Sequence, residues 1–109
     1  CTGTRRRMTP STRSIKKLTN EGWLVWNVES RVPRTNITKD LWGFLDLVAL
    51  RGSETLGIQV TSASNVSARI KKITHHPNVG IVRDAGWGIE VHGWRKKKEE
   101  WICRVVDLS

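Results

Sequence analysis

The residue in this sequence best placed to do chemistry is an aspartate in the middle of an apolar run. Asp46 stands within Gly43-Phe44-Leu45-Asp46-Leu47-Val48-Ala49-Leu50, and a second run, Leu56-Gly57-Ile58-Gln59-Val60-Thr61, follows after Arg51-Gly52-Ser53-Glu54. An acid inside such a strand costs free energy unless it is paired or holds a cation. The two runs read as a hairpin with a short Gly-containing loop. A loop over 51–54 pairs Leu50 with Thr55 and so sets Asp46 opposite Gln59. Alternation supports that register, since a slip of one residue would turn every side chain to the wrong face. Leu45, Leu47 and Ala49 then share an apolar face with Leu56, Ile58 and Val60, while Phe44, Asp46 and Val48 share the other with Gly57, Gln59 and Thr61. Asp46, Gln59 and Thr61 converge. A carboxylate so placed holds Mg²⁺ or Mn²⁺, which lowers the pKa of a bound water and neutralises charge developing on a phosphate. A cationic side chain nearby would stabilise the transition state. The chemistry to expect is metal-assisted phosphodiester cleavage.

Other elements must hold these residues in place. Thr9-Pro10 starts a helix from Pro10 to Glu21, with Thr9 as N-cap, Ile15 and Leu18 as its apolar stripe and Gly22 as its stop. From Trp23 to Glu29 the pattern changes to period two. Leu24, Trp26 and Val28 form its apolar face, with Trp26 expected in the core, and Val25, Asn27 and Glu29 form its polar side. Glu29 is therefore a candidate extra carboxylate if this strand neighbours the hairpin. Asp40, closing the irregular stretch from Ser30, is more often a turn or cap residue. After Thr61, the segment Ser62-Ala63-Ser64-Asn65 caps a helix whose Val66, Ile70 and Ile73 are buried, with Asn65, Arg69 and Lys72 along an adjacent edge. A short helix over Pro77 to Ala85 ends at Gly86, and strands over Trp87 to Trp94 and Trp101 to Leu108 flank a basic loop, Arg95 to Glu100. The order is αβββαβ plus a final strand.

The chain of 109 residues is one domain, and its 19 Lys+Arg against 10 Asp+Glu leave a formal charge of +9. That excess predicts attraction to polyanions, nucleic acid first. It is distributed in clusters: Arg5-Arg6-Arg7 in a basic segment over 1–8 expected to be flexible, Arg13, Lys16-Lys17, Arg69, Lys71-Lys72 and Arg95-Lys96-Lys97-Lys98. No run is long and apolar enough for a membrane span and the start has no apolar signal region, so we expect a soluble, cytoplasmic protein with no membrane partner. The first residue is Cys1 rather than Met, which leads us to expect further residues upstream. Cys1 and Cys103 have no metal or disulfide spacing. The adjacent His75 and His76 diverge and read as loop residues, and His92, on one strand face with Glu90 and Trp94, reads as a surface strand residue ahead of a general base. Trp42, Trp94 and Trp101 flank loops, where packing is the ordinary use and base stacking or a dimer interface the functional one. Nothing resembles a nucleophilic triad, a P-loop or a dinucleotide fingerprint.

The two hairpin runs, in an αβββαβ order from Pro10 to Trp94, resemble the PD-(D/E)XK nuclease superfamily, in particular its small Holliday junction resolvase-like phage and archaeal members. The resemblance implies a restriction-endonuclease-like α/β fold with a mixed central sheet flanked by helices. It makes Asp46 the metal-binding aspartate, Gln59 the second acidic position and Thr61 the place of the family's lysine. Two of the three depart from the pattern, since Gln59 is neutral and Thr61 carries no charge. Lys72 or Arg69 would then supply the missing cation. The expected activity is Mg²⁺- or Mn²⁺-dependent DNA cleavage, selective for branched DNA, by a homodimer. Asp46, Gln59 and Glu29 would hold the metal, and Thr61 and Ser62 would position a water or phosphate oxygen. Asn65 and Arg69 would join Arg5, Arg6, Arg7, Arg13, Lys16, Lys17, Arg95, Lys96 and Lys97 on the DNA. The alternatives are a nuclease-like module that binds DNA without cutting it and, from another class, a basic RNA-binding domain indifferent to metal.

Overall fold

A computed structural model describes residues 9–31, 34 and 38–109; the expected contacts of Arg5, Arg6 and Arg7 lie outside these residues. Helix α1 spans Pro10–Asn20, and strand β1 spans Leu24–Asn27. The short strands β2 (Ser30–Arg31) and β3 (Thr38–Lys39) pair with each other within the stretch expected to be irregular. Strands β4 (Leu47–Arg51) and β5 (Glu54–Ser62) follow, then a 3₁₀ turn over Ala63–Asn65 running into α2 (Val66–Thr74). Helix α3 (Val79–Asp84) and the hairpin of β6 (Gly88–Lys97) with β7 (Glu100–Asp107) complete the chain.

The result is an α/β fold around a five-stranded mixed sheet in the order β1-β4-β5-β6-β7. Only β5 and β6 are parallel, because the helical crossover between them returns the chain to the same end. Leu50 pairs with Thr55, as alternation predicts, but pairing continues to Arg51 and Glu54, leaving Gly52-Ser53 as the turn. The hydroxyl of Thr9 accepts the Thr12 amide at 3.2 Å, the expected N-cap of α1. At the start of α2, Asn65 occupies the cap position without making the side-chain cap bond.

Apolar clusters lie on both faces. Leu18 of α1 packs on Leu47, Ala49, Leu56, Ile58 and Val60, while Val66, Ile73, Val79 and Val82 of α2 and α3 pack on Ile89, Val91, Phe44 and Leu45. Leu45 therefore leaves the face expected for it. Trp42 and Gly43, at φ of +54° and +85°, close a tight turn bridged between Leu41 and Leu45, so strand alternation begins only at Leu47. Glycine suits position 43 because L side chains rarely adopt that φ, and a Cβ there would also press on the His76 ring at 2.8 Å from Nε2.

Three further expectations are corrected. Trp26 is 73% exposed rather than core, because α1 covers the Val25 side of β1 and, among the described residues, no helix reaches over the Leu24 and Trp26 side of this edge strand. His92 is buried rather than on the surface, because its face of β6 lies beneath α1. Arg95, Lys96 and Lys97 extend β6 instead of forming a loop; the turn is Lys98-Glu99, with Lys98 at φ +56°. No helix among the described residues is long and apolar enough to cross a membrane.

Candidate active site

Asp46 sits where β4 begins, tied to both neighbouring strands. Its N–H donates to the Ile58 carbonyl at 2.8 Å and its carbonyl accepts the Val28 N–H at 3.0 Å. The tight turn has by then carried the chain away from β5, and the Asp46 carboxylate takes over from the missing backbone. Oδ2 accepts the Val60 N–H at 2.9 Å and Gln59 Nε2 at 2.6 Å. Asp46 and Gln59 are 4% and 2% exposed, so this pair is a buried polar unit.

Two more carboxylates meet it. Carboxylate oxygens of Glu29, Asp40 and Asp46 all lie within 4.8 Å of one another. Glu29 arrives because β1 stops at Asn27, whose side-chain oxygen accepts the Glu29 N–H at 2.9 Å and bends the chain toward Asp46. Asp40 arrives on the tight turn, where its carbonyl accepts the Gly43 N–H at 3.1 Å. It serves as turn residue and cluster member at once. Burial pushes the Asp46 carboxyl up to about 7, the Asp40 and Glu29 charges add to the rise, and the Val60 N–H opposes it.

Polarity is left over on the Gln59 side. Oε1 of Gln59 is buried with no hydrogen-bond partner, alone among the described residues in this respect. A half turn of that amide presents Oε1 in place of Nε2. Carboxylate oxygens and an amide oxygen are the donor set of a hard divalent cation such as Mg²⁺ or Mn²⁺, so the residues fit that group.

Cations border the cluster unevenly. Lys72 Nζ on α2 lies 3.7 Å from Asp40 Oδ2, which makes it the helical cation that reaches the acids. Arg69 forms no ion pair among the described residues. Thr61 is buried on the Gln59 face, two positions further along β5. Ser62 and Asn65 bond to each other at 3.1 Å. Arg13, Lys16 and Lys17 lie on α1, across the sheet from Asp46; Arg13 stacks 3.8 Å over Trp101 and Lys17 pairs with Glu21.

A second polar unit lies beneath α1; alternation puts Glu90, His92 and Trp94 on one face but does not place Ser14 beside them or show their burial. Trp94 Nε1 donates to Ser14 Oγ at 2.8 Å, Ser14 Oγ meets His92 Nδ1 at 2.9 Å, and His92 Nε2 meets Glu90 Oε1 at 3.0 Å. The Glu90 carboxylate only accepts, so Nε2 carries a proton toward it, and in the neutral ring Nδ1 then accepts from Ser14 Oγ. The chain has the order of a nucleophilic triad, but Ser14 is 0% exposed. It locks α1 to β6 and meets no substrate. Polar residues alternating on one side of a strand, with a serine on the buried side of a helix, were its available signal. The half-buried Cys103 thiol is pushed up to about 11 by burial and is equally inert. The chain matches no family model and no curated protein.

Proposed function

We propose that this protein is a metal-dependent DNA endonuclease of the PD-(D/E)XK type, built on a restriction-endonuclease-like core, selective for branched DNA and acting as a homodimer. One observation carries the reading: three carboxylates converge at the end of a sheet hairpin beside the buried Gln59 amide, whose Oε1 is unpartnered, with Lys72 alongside, in a chain of charge +9. Asp46, Asp40 and Glu29 would hold the cation, with Gln59 Oε1 as a further donor were its amide turned. A bound Mg²⁺ or Mn²⁺ supplies Lewis-acid polarisation of the phosphate and a water of lowered pKa. Lys72, beside Asp40, would offset charge on the phosphoryl oxygens in the role for which Thr61 has no charge. Arg69 and the β6 cations hold backbone phosphates without reading sequence.

A DNA-binding module without cleavage is the second reading. Its supporting observation is that Asp46 Oδ2 already has a structural use, accepting from both Val60 and Gln59. Labelled four-way junction and matched linear duplex, incubated with Mg²⁺, Mn²⁺ or EDTA, separate the two. Paired, metal-dependent nicks in the junction are expected, lost in Asp46→Asn and reduced about a hundredfold or more in Lys72→Ala. Tight binding without cleavage under every metal overturns the enzyme in favour of the binding module. Preference for RNA with indifference to metal overturns both.

A further inference from the structure

The sheet face that carries Asp46 and Gln59 continues onto the β6–β7 hairpin, where a separate recess opens. Ala63, Gly93, Arg95, Ile102 and Arg104 line a pocket of about 380 Å³. Strand register fixes its position: Thr61, Gly93 and Arg104 form one row across β5, β6 and β7, and Arg95 pairs with Ile102 further along. The neighbouring row on the same face is Gln59, Val91 and Val106. Asp46 at the start of β4 and Arg104 on β7 are three strands and two positions apart, which at about 4.8 Å per strand and about 3.3 Å per residue is roughly 16 Å, a span of about five nucleotides at 3.4 Å of rise each.

The floor of this recess is built by close approach. A Cβ on Gly93 would fall 2.2 Å from Val66 Cγ2 and 3.2 Å from the Ala63 Cα, so the helical segment rests directly on β6 and walls the pocket with Ala63. Both arginines are exposed, and neither has a carboxylate within ion-pair distance among the described residues. Alternation turns Lys96 to the opposite face, opposite Trp101. The polar lining on this face is thus two unneutralised guanidinium forks above apolar walls, which suits a tetrahedral oxyanion gripped bidentately.

We propose that Arg95 and Arg104 form a phosphate subsite for the nucleic-acid strand that enters the acidic site, holding its backbone about five nucleotides from the reacting phosphate. This rests on the nucleic-acid reading above and assigns Arg104 a role that composition alone does not. Fluorescence anisotropy with labelled four-way junction DNA in EDTA, over a range of salt, tests it without cleavage. Each of Arg95→Ala and Arg104→Ala should weaken binding about tenfold and make the slope of log K against log salt shallower by about one. Arg51→Gln, at the opposite end of the sheet, should leave the slope unchanged. If the wild type binds no DNA, the functional reading itself fails. If it binds with a slope that neither arginine alters, or that Arg51→Gln alters equally, the subsite is overturned and the nuclease reading stands. Calorimetry with inorganic phosphate separates the source: tight phosphate binding lost in the double variant, with the DNA slope intact, makes this a free-anion site and overturns the strand assignment.

Discussion

The fold disfavours the ionised form of Asp46, and the sign of that effect is measurable. Its carboxyl is raised to about 7 chiefly by burial, with Asp40 and Glu29 contributing. A raised acid stabilises the fold while protonated, so its contribution is present at low pH and is lost as pH rises through about 7. Without divalent cations, wild type should therefore lose stability relative to Asp46→Asn between about pH 5 and pH 8, by on the order of 2 kcal/mol. Mg²⁺ or Mn²⁺ should restore it at the upper end and do little at the lower, where a protonated carboxyl is no ligand. Thermal denaturation of both proteins with metal and with EDTA checks this. A difference flat in pH would mean that Asp46 does not titrate across this range.

At the scale of elements, α1 is fastened to the sheet by polarity as well as by Leu18. Ser14→Ala leaves Trp94 Nε1 and His92 Nδ1 without the partner that joins them, at a cost of about 1–3 kcal/mol, read as a lower midpoint in denaturant. DNA cleavage per folded molecule should be unchanged, since that unit lies across the sheet from Asp46. The same unit shows where sequence reasoning stops. Period two tells which residues share a face, and it paired Leu50 with Thr55 and Asp46 with Gln59 because hydrophobic alternation tolerates no other register. It does not tell which face a helix covers. His92 and Trp26 were both misread for that reason, one buried by α1 and the other left bare at the edge. Glu29 and Asp40 reach the cluster through an Asn27 turn and a left-handed Trp42-Gly43 turn, where periodicity has already ended. Arg104 was legible in principle, since the Lys98-Glu99 turn fixes its pairing with Gly93, but only once that turn is known to be so short.

For the whole molecule, the open edges of the sheet differ in a way that bears on assembly. β7 carries Glu100, Arg104 and Asp107, charges that discourage edge pairing. β1, with the sequence Leu-Val-Trp-Asn, carries none. Leu24 and Trp26 are 69% and 73% exposed on one face of β1, and Leu50, paired with Leu24, is 46% exposed beside them. An apolar, uncharged edge of this kind is either covered or prone to aggregate. One chain holds one acidic cluster among its described residues, so incision of paired strands calls for two copies. We expect the chain to self-associate through β1, and Trp26→Lys to yield a monomer that keeps its fold, since that side chain packs on no core cluster. Sedimentation velocity reads the assembly and junction cleavage reads its consequence. The monomer should nick single strands while losing the paired cuts. Unchanged association in Trp26→Lys would exclude the β1 edge, and a wild type that sediments as a monomer would mean that the bare edge serves some other contact.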